Sequence, residues 1–494
     1  LPHQEILGDC LECFENNQKI GGSIMKFVII GGDAAGMSAA SRARRNDPGL
    51  EIMVLEQGRD VSYSACNIPY NIADPGREMD DLSVRSAAVF REKQGIDLRV
   101  EHRVERIDRE ARTVSGRAGD GAPFSAAYDQ LLIAVGANPI LPSIEGIGLP
   151  GVFVVKNLEH GRRIKAFLRS RQAKRAVIVG MGYIALEMAE ALCELGLKVD
   201  LIKPRAGLLP WLDPALGQPV RELLLAQGVG LYDGHPIDRI VAVGDNLRVV
   251  SGALQLEADL VVAAIGVAPS AQLAQDAGLE LSVGGSIAAD RSLRTSDPNI
   301  FAAGDCADSY HVVTGQKTWI PLALRANRAG WAVADNVCGG QVELPGVAGT
   351  AVFKVFAMQI ARTGLSEGEA RKAGFDPVGV QIKSKSRAGI YPGAQPIYVS
   401  MVGDRVTGRL LGAQMTGTDQ VAHRINAVAV ALLAKMSVAE FSQSDLAYAP
   451  PFGPTWDPLL TAANQLVKKF SLLLMWLCMK LSNLDGYMSK ACIE

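Results

Sequence analysis

Lys26-Phe27-Val28-Ile29-Ile30-Gly31-Gly32-Asp33-Ala34-Ala35-Gly36, running on into Met37 to Arg45, decides how the rest of the chain is read. A short apolar β-run leads into a glycine-rich turn, and the turn opens into a segment of helical composition. Strand, turn and helix make the phosphate-binding corner of a Rossmann unit. Glycine permits the tight turn, and the helix N-terminus offers free N–H groups to a pyrophosphate. The next strand, Glu51 to Glu56, ends on an acid 20 positions after Gly36, where a carboxylate can accept from ribose hydroxyls. One fingerprint glycine is replaced by Asp33. A carboxylate there should point away from a diphosphate.

A second corner follows about 150 residues later: Arg175 to Val179, then Gly180-Met181-Gly182-Tyr183-Ile184-Ala185-Leu186-Glu187. Its third fingerprint position is Ala185, which still allows close helix–strand packing. Two such corners argue for two dinucleotide cofactors. The following strand, Lys198 to Ile202, ends on Lys203 with Arg205 beyond. Bases there favour a 2′-phosphate, an acid the 2′-hydroxyl. Both side chains are equally compatible with simple solvation, so NADH and NADPH stay open with a slight lean to NADPH. Tyr128 to Pro139 and Ala258 to Pro269 each end a strand in Gly and Pro, at Gly136 and Gly266, punctuation that suits crossings between domains. Thr295 to Ala307 carries Gly304-Asp305, a buried strand ending on a carboxylate able to accept from polyol or ribityl hydroxyls. Cys306 beside it reads as a packed residue.

Composition sets the outer bounds. At 494 residues the chain exceeds one compact core, and about three domains are expected. Hydrophobic residues make up 48% and charged residues 21%, as in ordinary globular proteins. A net charge of -2 leaves no electrostatic footprint for nucleic acid. Eight scattered cysteines fit a reducing, cytoplasmic setting rather than a disulfide framework. Residues 1–24 read as a disordered or non-native leader, with Met25 the natural start and Cys10-x-x-Cys13 a chance spacing. Phe470 to Leu481 is an apolar run of twelve with one serine and one lysine, shorter than the roughly 20 residues of a membrane span. It is expected to be a buried or partner-facing helix.

The chemistry centres on Ser62-Tyr63-Ser64-Ala65-Cys66-Asn67-Ile68-Pro69-Tyr70. With these stretches assembled, the chain from about residue 25 to 466 resembles the pyridine nucleotide-disulfide oxidoreductases. Glutathione-reductase-like members carry a C-x-x-x-x-C pair, and here the partner position of Cys66 is Asn71. The S-x-x-x-C-x-x-P-Y pattern is similar to the single-cysteine branch: coenzyme A-disulfide reductase, NADH oxidase, NADH peroxidase and polysulfide reductases. The oxidase and peroxidase types carry a histidine on the first helix; Ala34 to Ala39 has none. Asp445 to Phe452 resembles the disulfide-reductase version, in which a tyrosine, here Tyr448, reaches the other subunit's cysteine. Tyr391 matches a second tyrosine near the substrate.

The resemblance implies an α/β fold with two Rossmann-like domains, for FAD and NAD(P)H, and a C-terminal α+β dimerisation domain. The expected divisions are a 25–145 FAD part, a 146–270 NAD(P)H domain, a 271–345 second FAD part, a 346–466 interface domain and a 467–494 tail. Gly31, Ala34, Ala35, Gly36, Glu56, Ser62, Val104, Gly136, Gly304 and Asp305 would contact FAD. Gly180, Gly182, Tyr183, Glu187, Lys203 and Gly266 would serve NAD(P)H, with Tyr183 gating the flavin ring and Glu187 orienting the nicotinamide. Cys66 would cycle through a mixed disulfide, coenzyme A being a natural partner, helped by a favourable dipole from a helix starting near it. Tyr448 would protonate the departing thiolate. A homodimer acting on a small-molecule disulfide or persulfide follows, with no nucleic acid partner, membrane span or metal. NAD(P)H oxidase activity, or electron delivery to a protein partner, is the alternative.

Overall fold

The computed structural model describes residues 24–471. The Cys10–Cys13 pair and positions 472–481 of the apolar run lie outside the described residues.

The opening corner builds the first sheet. Lys26–Ile30 is a strand buried along almost its whole length, and it pairs in parallel with Glu51–Leu55 on one side and Gln130–Ile133 on the other. Asp97–Arg99 and Ile300–Ala302 complete five parallel strands. Strand order reverses beside Lys26–Ile30, and a crevice opens there at the carboxyl ends of the strands, where α/β sheets bind ligands. The second corner repeats the plan. Arg175–Val179 lies between Lys198–Lys203 and Leu260–Ala263, with Gly230–Asp233 and Val152–Val154 at the edges, all parallel. Continuous apolar runs suit both, because a parallel sheet is buried on both faces.

Where the chain crosses between these units, the two Gly–Pro punctuations meet. Ala137–Pro139 and Val267–Pro269 pair antiparallel as a two-stranded ribbon. Helix Ala34–Asn46 packs closely on Ala323–Val337. A Cβ added at Gly330 would stand 2.2 Å from the Ala35 carbonyl oxygen, and Arg42 grips Asp335 at 2.6 Å.

The C-terminal unit is a five-stranded antiparallel sheet in the order Ala351–Val355, Met358–Gly364, Leu410–Gly417, Pro396–Asp404, Pro377–Lys385. Its central strand, Leu410–Gly417, is buried at every residue. Helix Val421–Leu433 and a last helix over 458–471 cover it. Leu459, Ala462, Ala463 and Leu466 are buried at helical spacing, and Phe470, the first residue of the apolar run, packs against the same core. No helix among the described residues is long and apolar enough to cross a membrane.

Candidate active site

The two corners differ in what their glycines do. Gly31 sits at φ +109, and a Cβ there would stand 2.3 Å from the Ala134 carbonyl oxygen. At Gly36 an added Cβ would lie 1.9 Å from the Gly31 carbonyl oxygen. Gly36 therefore permits the helix to close on its own turn. Gly182 has the opposite setting: a Cβ there meets no protein atom within 4 Å. The open space lies at the N-terminus of helix Tyr183–Glu194, which no side chain caps, so free N–H groups face it.

The Asp33 carboxyl is tied to the backbone. Its Oδ1 accepts from the Tyr63 backbone N–H at 3.2 Å, and burial raises its carboxyl to about 6. It does not cap the helix that it precedes. Glu56 accepts from the Gly32 and Gly58 N–H groups, each at 2.7 Å. Burial raises its carboxyl too.

Both units open onto one cavity of about 2540 Å³, well above the ~300–1,000 Å³ of an ordinary small-ligand site and roomy enough for dinucleotide and substrate together. Gly31, Ala34, Ala35, Glu56, Ser62 and Cys66 reach its wall, as do Val104, Gly136, Tyr183, Glu187, Gly304 and Asp305. Gly36, Gly180, Gly182, Lys203, Gly266, Tyr391 and Tyr448 are not part of that wall. Burial lowers the Lys203 ammonium's pKa. Tyr391 and Tyr448 are exposed on the C-terminal unit, 36% and 50%, and within one chain they do not join Cys66. The cavity, the uncapped helix start and the clearance at Gly182 fit two dinucleotides.

Cys66 lies in the short turn Ala65–Asn67, which leads into helix Ile68–Ala73. The helix expected near it is present, but the lowered thiol is not. Surrounding walls strip water from the sulfur and Glu187 adds negative charge, so the thiol stands above its ordinary range, against a smaller opposing pull from Lys156. Asn71 is 1% exposed and donates to the Glu78 carbonyl at 2.9 Å, while its Oδ1 accepts from Lys165 at 3.0 Å. Cys306 is fully buried and donates to backbone carbonyls, which raises its thiol to about 11 through desolvation.

Four residues at the site were not singled out from the sequence. Lys156 pairs with Asp305 at 3.1 Å, so Asp305 meets its cavity with a cation already beside it. Lys165, 5% exposed, donates to the carbonyls of Asn71, Asp74 and Arg77 and to the Asn71 side chain. Tyr70 donates to Glu187 at 3.1 Å. Lys354, from the C-terminal sheet, pairs with buried Glu190. Only Tyr70 had a local signal, the Pro-Tyr after Cys66; the lysines act across separations that no motif spans.

One cavity reached by the uncapped helix starts at Ala34 and Tyr183, with the exposed thiol of Cys66 on its wall, defines a dinucleotide-dependent oxidoreductase. A family model described as pyridine nucleotide-disulphide oxidoreductase matches residues 25–330, and its dimerisation domain matches 350–458. The chain belongs to this family, whose members use FAD and NAD(P)H. The NAD(P)H sulfur oxidoreductase (CoA-dependent) of Pyrococcus abyssi is 38% identical over 439 residues, 89% of this chain and 97% of the relative. An NADH oxidase of Methanocaldococcus jannaschii is 33% identical over 90% of this chain and all of its own length. The structure of an NAD-dependent persulfide reductase from A. fulgidus superposes with a TM-score of 0.88 at 37% identity, over 91% of this chain and 84% of the other.

Proposed function

We propose that this protein uses NAD(P)H and FAD to reduce a low-molecular-weight disulfide or persulfide, such as a coenzyme A disulfide or persulfide, through Cys66 alone. The observation that carries this reading is the exposed Cys66 on the shared cavity, with Asn71 engaged in a buried polar network where two-cysteine relatives place the second thiol. The two cofactors, when bound, supply two electrons to the sulfur centre. The uncapped helix starts at Ala34 and Tyr183 would hold the diphosphates. Lys156 and Asp305, paired on the cavity wall, would hold the flavin's polar ribityl or ring groups.

Cys66 rests as a mixed disulfide with a small thiol. Two electrons break that S–S bond. The freed Cys66 sulfur attacks the next disulfide, releasing one thiolate and restoring the mixed disulfide. Tyr448 of the partner subunit protonates that thiolate, and Tyr391 lies near the bound substrate. This assignment rests on the tyrosines' exposure on the dimerisation unit, free to face a second copy.

Cys66→Ser tests the reading. Reduction of coenzyme A disulfide should fall to background while hydride transfer from NAD(P)H to the bound flavin persists. Wild-type turnover in that variant, or full-rate oxygen consumption without any disulfide, would falsify it.

A further inference from the structure

The two dinucleotide corners match each other through their backbone hydrogen bonds. In the first, the Gly31 N–H donates to the Leu55 carbonyl at 2.9 Å, and the residue after Leu55 is Glu56. In the second, the Gly180 N–H donates to the Ile202 carbonyl at 2.9 Å, and the residue after Ile202 is Lys203. Lys203 thus stands in the second corner where Glu56 stands in the first. The first corner offers a carboxylate, held by the N–H groups of Gly32 and Gly58. The second offers an ammonium at the same place.

No ion pair within the chain consumes that charge. Asp233 is the register partner of Lys203 on the neighbouring strand Gly230–Asp233, but both of its oxygens are engaged elsewhere. Its Oδ1 accepts from Arg221 and its Oδ2 from the Gly207 N–H, each at 2.7 Å. Asp200 lies three residues back from Lys203, so strand alternation turns it to the other face, where it is 8% exposed beside Gly230. Among the described residues no carboxylate forms an ion pair with Lys203 or with Arg205.

The loop that follows is tied down over the corner. From Lys203 to Leu209 it carries two bases and no acid. Asp233 holds the Gly207 N–H, the His235 N–H donates to the Lys203 carbonyl at 2.9 Å, and the Leu209 N–H donates to the carbonyl of Met181, inside the glycine turn, at 3.3 Å. Arg205 is exposed between these ties. The space at Gly182 is open. Two cations on a fixed backbone therefore border the corner, outside the cavity that Tyr183 and Glu187 line.

We propose that Lys203 and Arg205 bind the 2′-phosphate of NADPH and make it the coenzyme of this enzyme in preference to NADH. The proposal rests on the reading of the chain as an NAD(P)H-dependent reductase. A ribose 2′-hydroxyl donates and is matched by a carboxylate, as at Glu56. A 2′-phosphate is anionic and only accepts, which an ammonium and a guanidinium match.

The test follows bleaching of the flavin when the flavin-bound dimer is mixed anaerobically with NADPH or NADH, with no disulfide present. The apparent second-order rate constants should favour NADPH by about 10²-fold, at about tenfold for each charged contact. Arg205→Ala should lower that ratio about tenfold. Lys203→Glu, which gives the second corner the acid that the first has at Glu56, should lower it by about 10²-fold or more. Arg205→Ala, at an exposed position, carries the test if Lys203→Glu does not fold. A wild type that does not favour NADPH, a ratio unchanged in the variants, or a loss that falls equally on both coenzymes overturns the proposal. A protein that prefers NADPH in this assay yet fails to reduce coenzyme A disulfide would instead sink the disulfide-reductase reading and leave the coenzyme assignment standing.

Discussion

Asp33 shows how a single departure from a motif is absorbed. Its carboxyl stands at about 6 instead of 3.8, because burial outweighs the Tyr63 hydrogen bond and the attraction of Lys156. A group raised in the folded state stabilises the fold below that value and costs stability as pH rises through it. Asp33→Asn should therefore stabilise the protein at about pH 8 by about 1–3 kcal/mol and change little at about pH 4. Thermal unfolding at both values measures this, and equal shifts at the two would contradict it. The lone cysteine was readable because Asn71 breaks a short local pattern. The raised thiol was not: it depends on Glu187, 121 positions away (187 − 66) in the chain, and no local spacing reports such a neighbour.

Helix Leu158–Ser170 ties the second unit to the segment carrying Cys66. Gly161 lets it approach, since a Cβ there would lie 2.5 Å from Met79 Cε and 3.3 Å from Ile68 Cγ2. Arg162 reaches Asp60 at 2.7 Å, and Lys165 collects the carbonyls that helix Ile68–Ala73 and the following turn leave free. Lys165→Met should leave those acceptors unpaired and lower stability by about 2–4 kcal/mol. Chemical denaturation of the flavin-bound protein checks this; an unchanged midpoint would show the contacts to be dispensable. Both glycine corners were legible because strand, turn and helix are consecutive in sequence. The Lys165 and Lys354 contacts were not, because a lysine on a helix or strand looks like any solvated surface residue until its partners are placed.

At the scale of the whole molecule, the reading divides one reaction between two chains. The family's dimerisation domain is present over residues 350–458, and Tyr448 is exposed there, away from the cavity of its own chain. Mixing Cys66→Ser with Tyr448→Phe subunits under exchange conditions should restore activity in about one quarter of the sites, since a mixed dimer holds one intact site. No recovery would place Tyr448 outside the chemistry. Cys66 itself is open to a more direct measurement: mass spectrometry of the non-reduced, flavin-bound protein after a few turnovers with coenzyme A disulfide and limiting NADPH. Cys66 should carry one coenzyme A in disulfide linkage, lost on reduction with excess NADPH, while Cys193, Cys306 and Cys338 stay unmodified. An unmodified Cys66 in a protein turning over at full rate, or the adduct on another cysteine, would contradict a single redox thiol at this site.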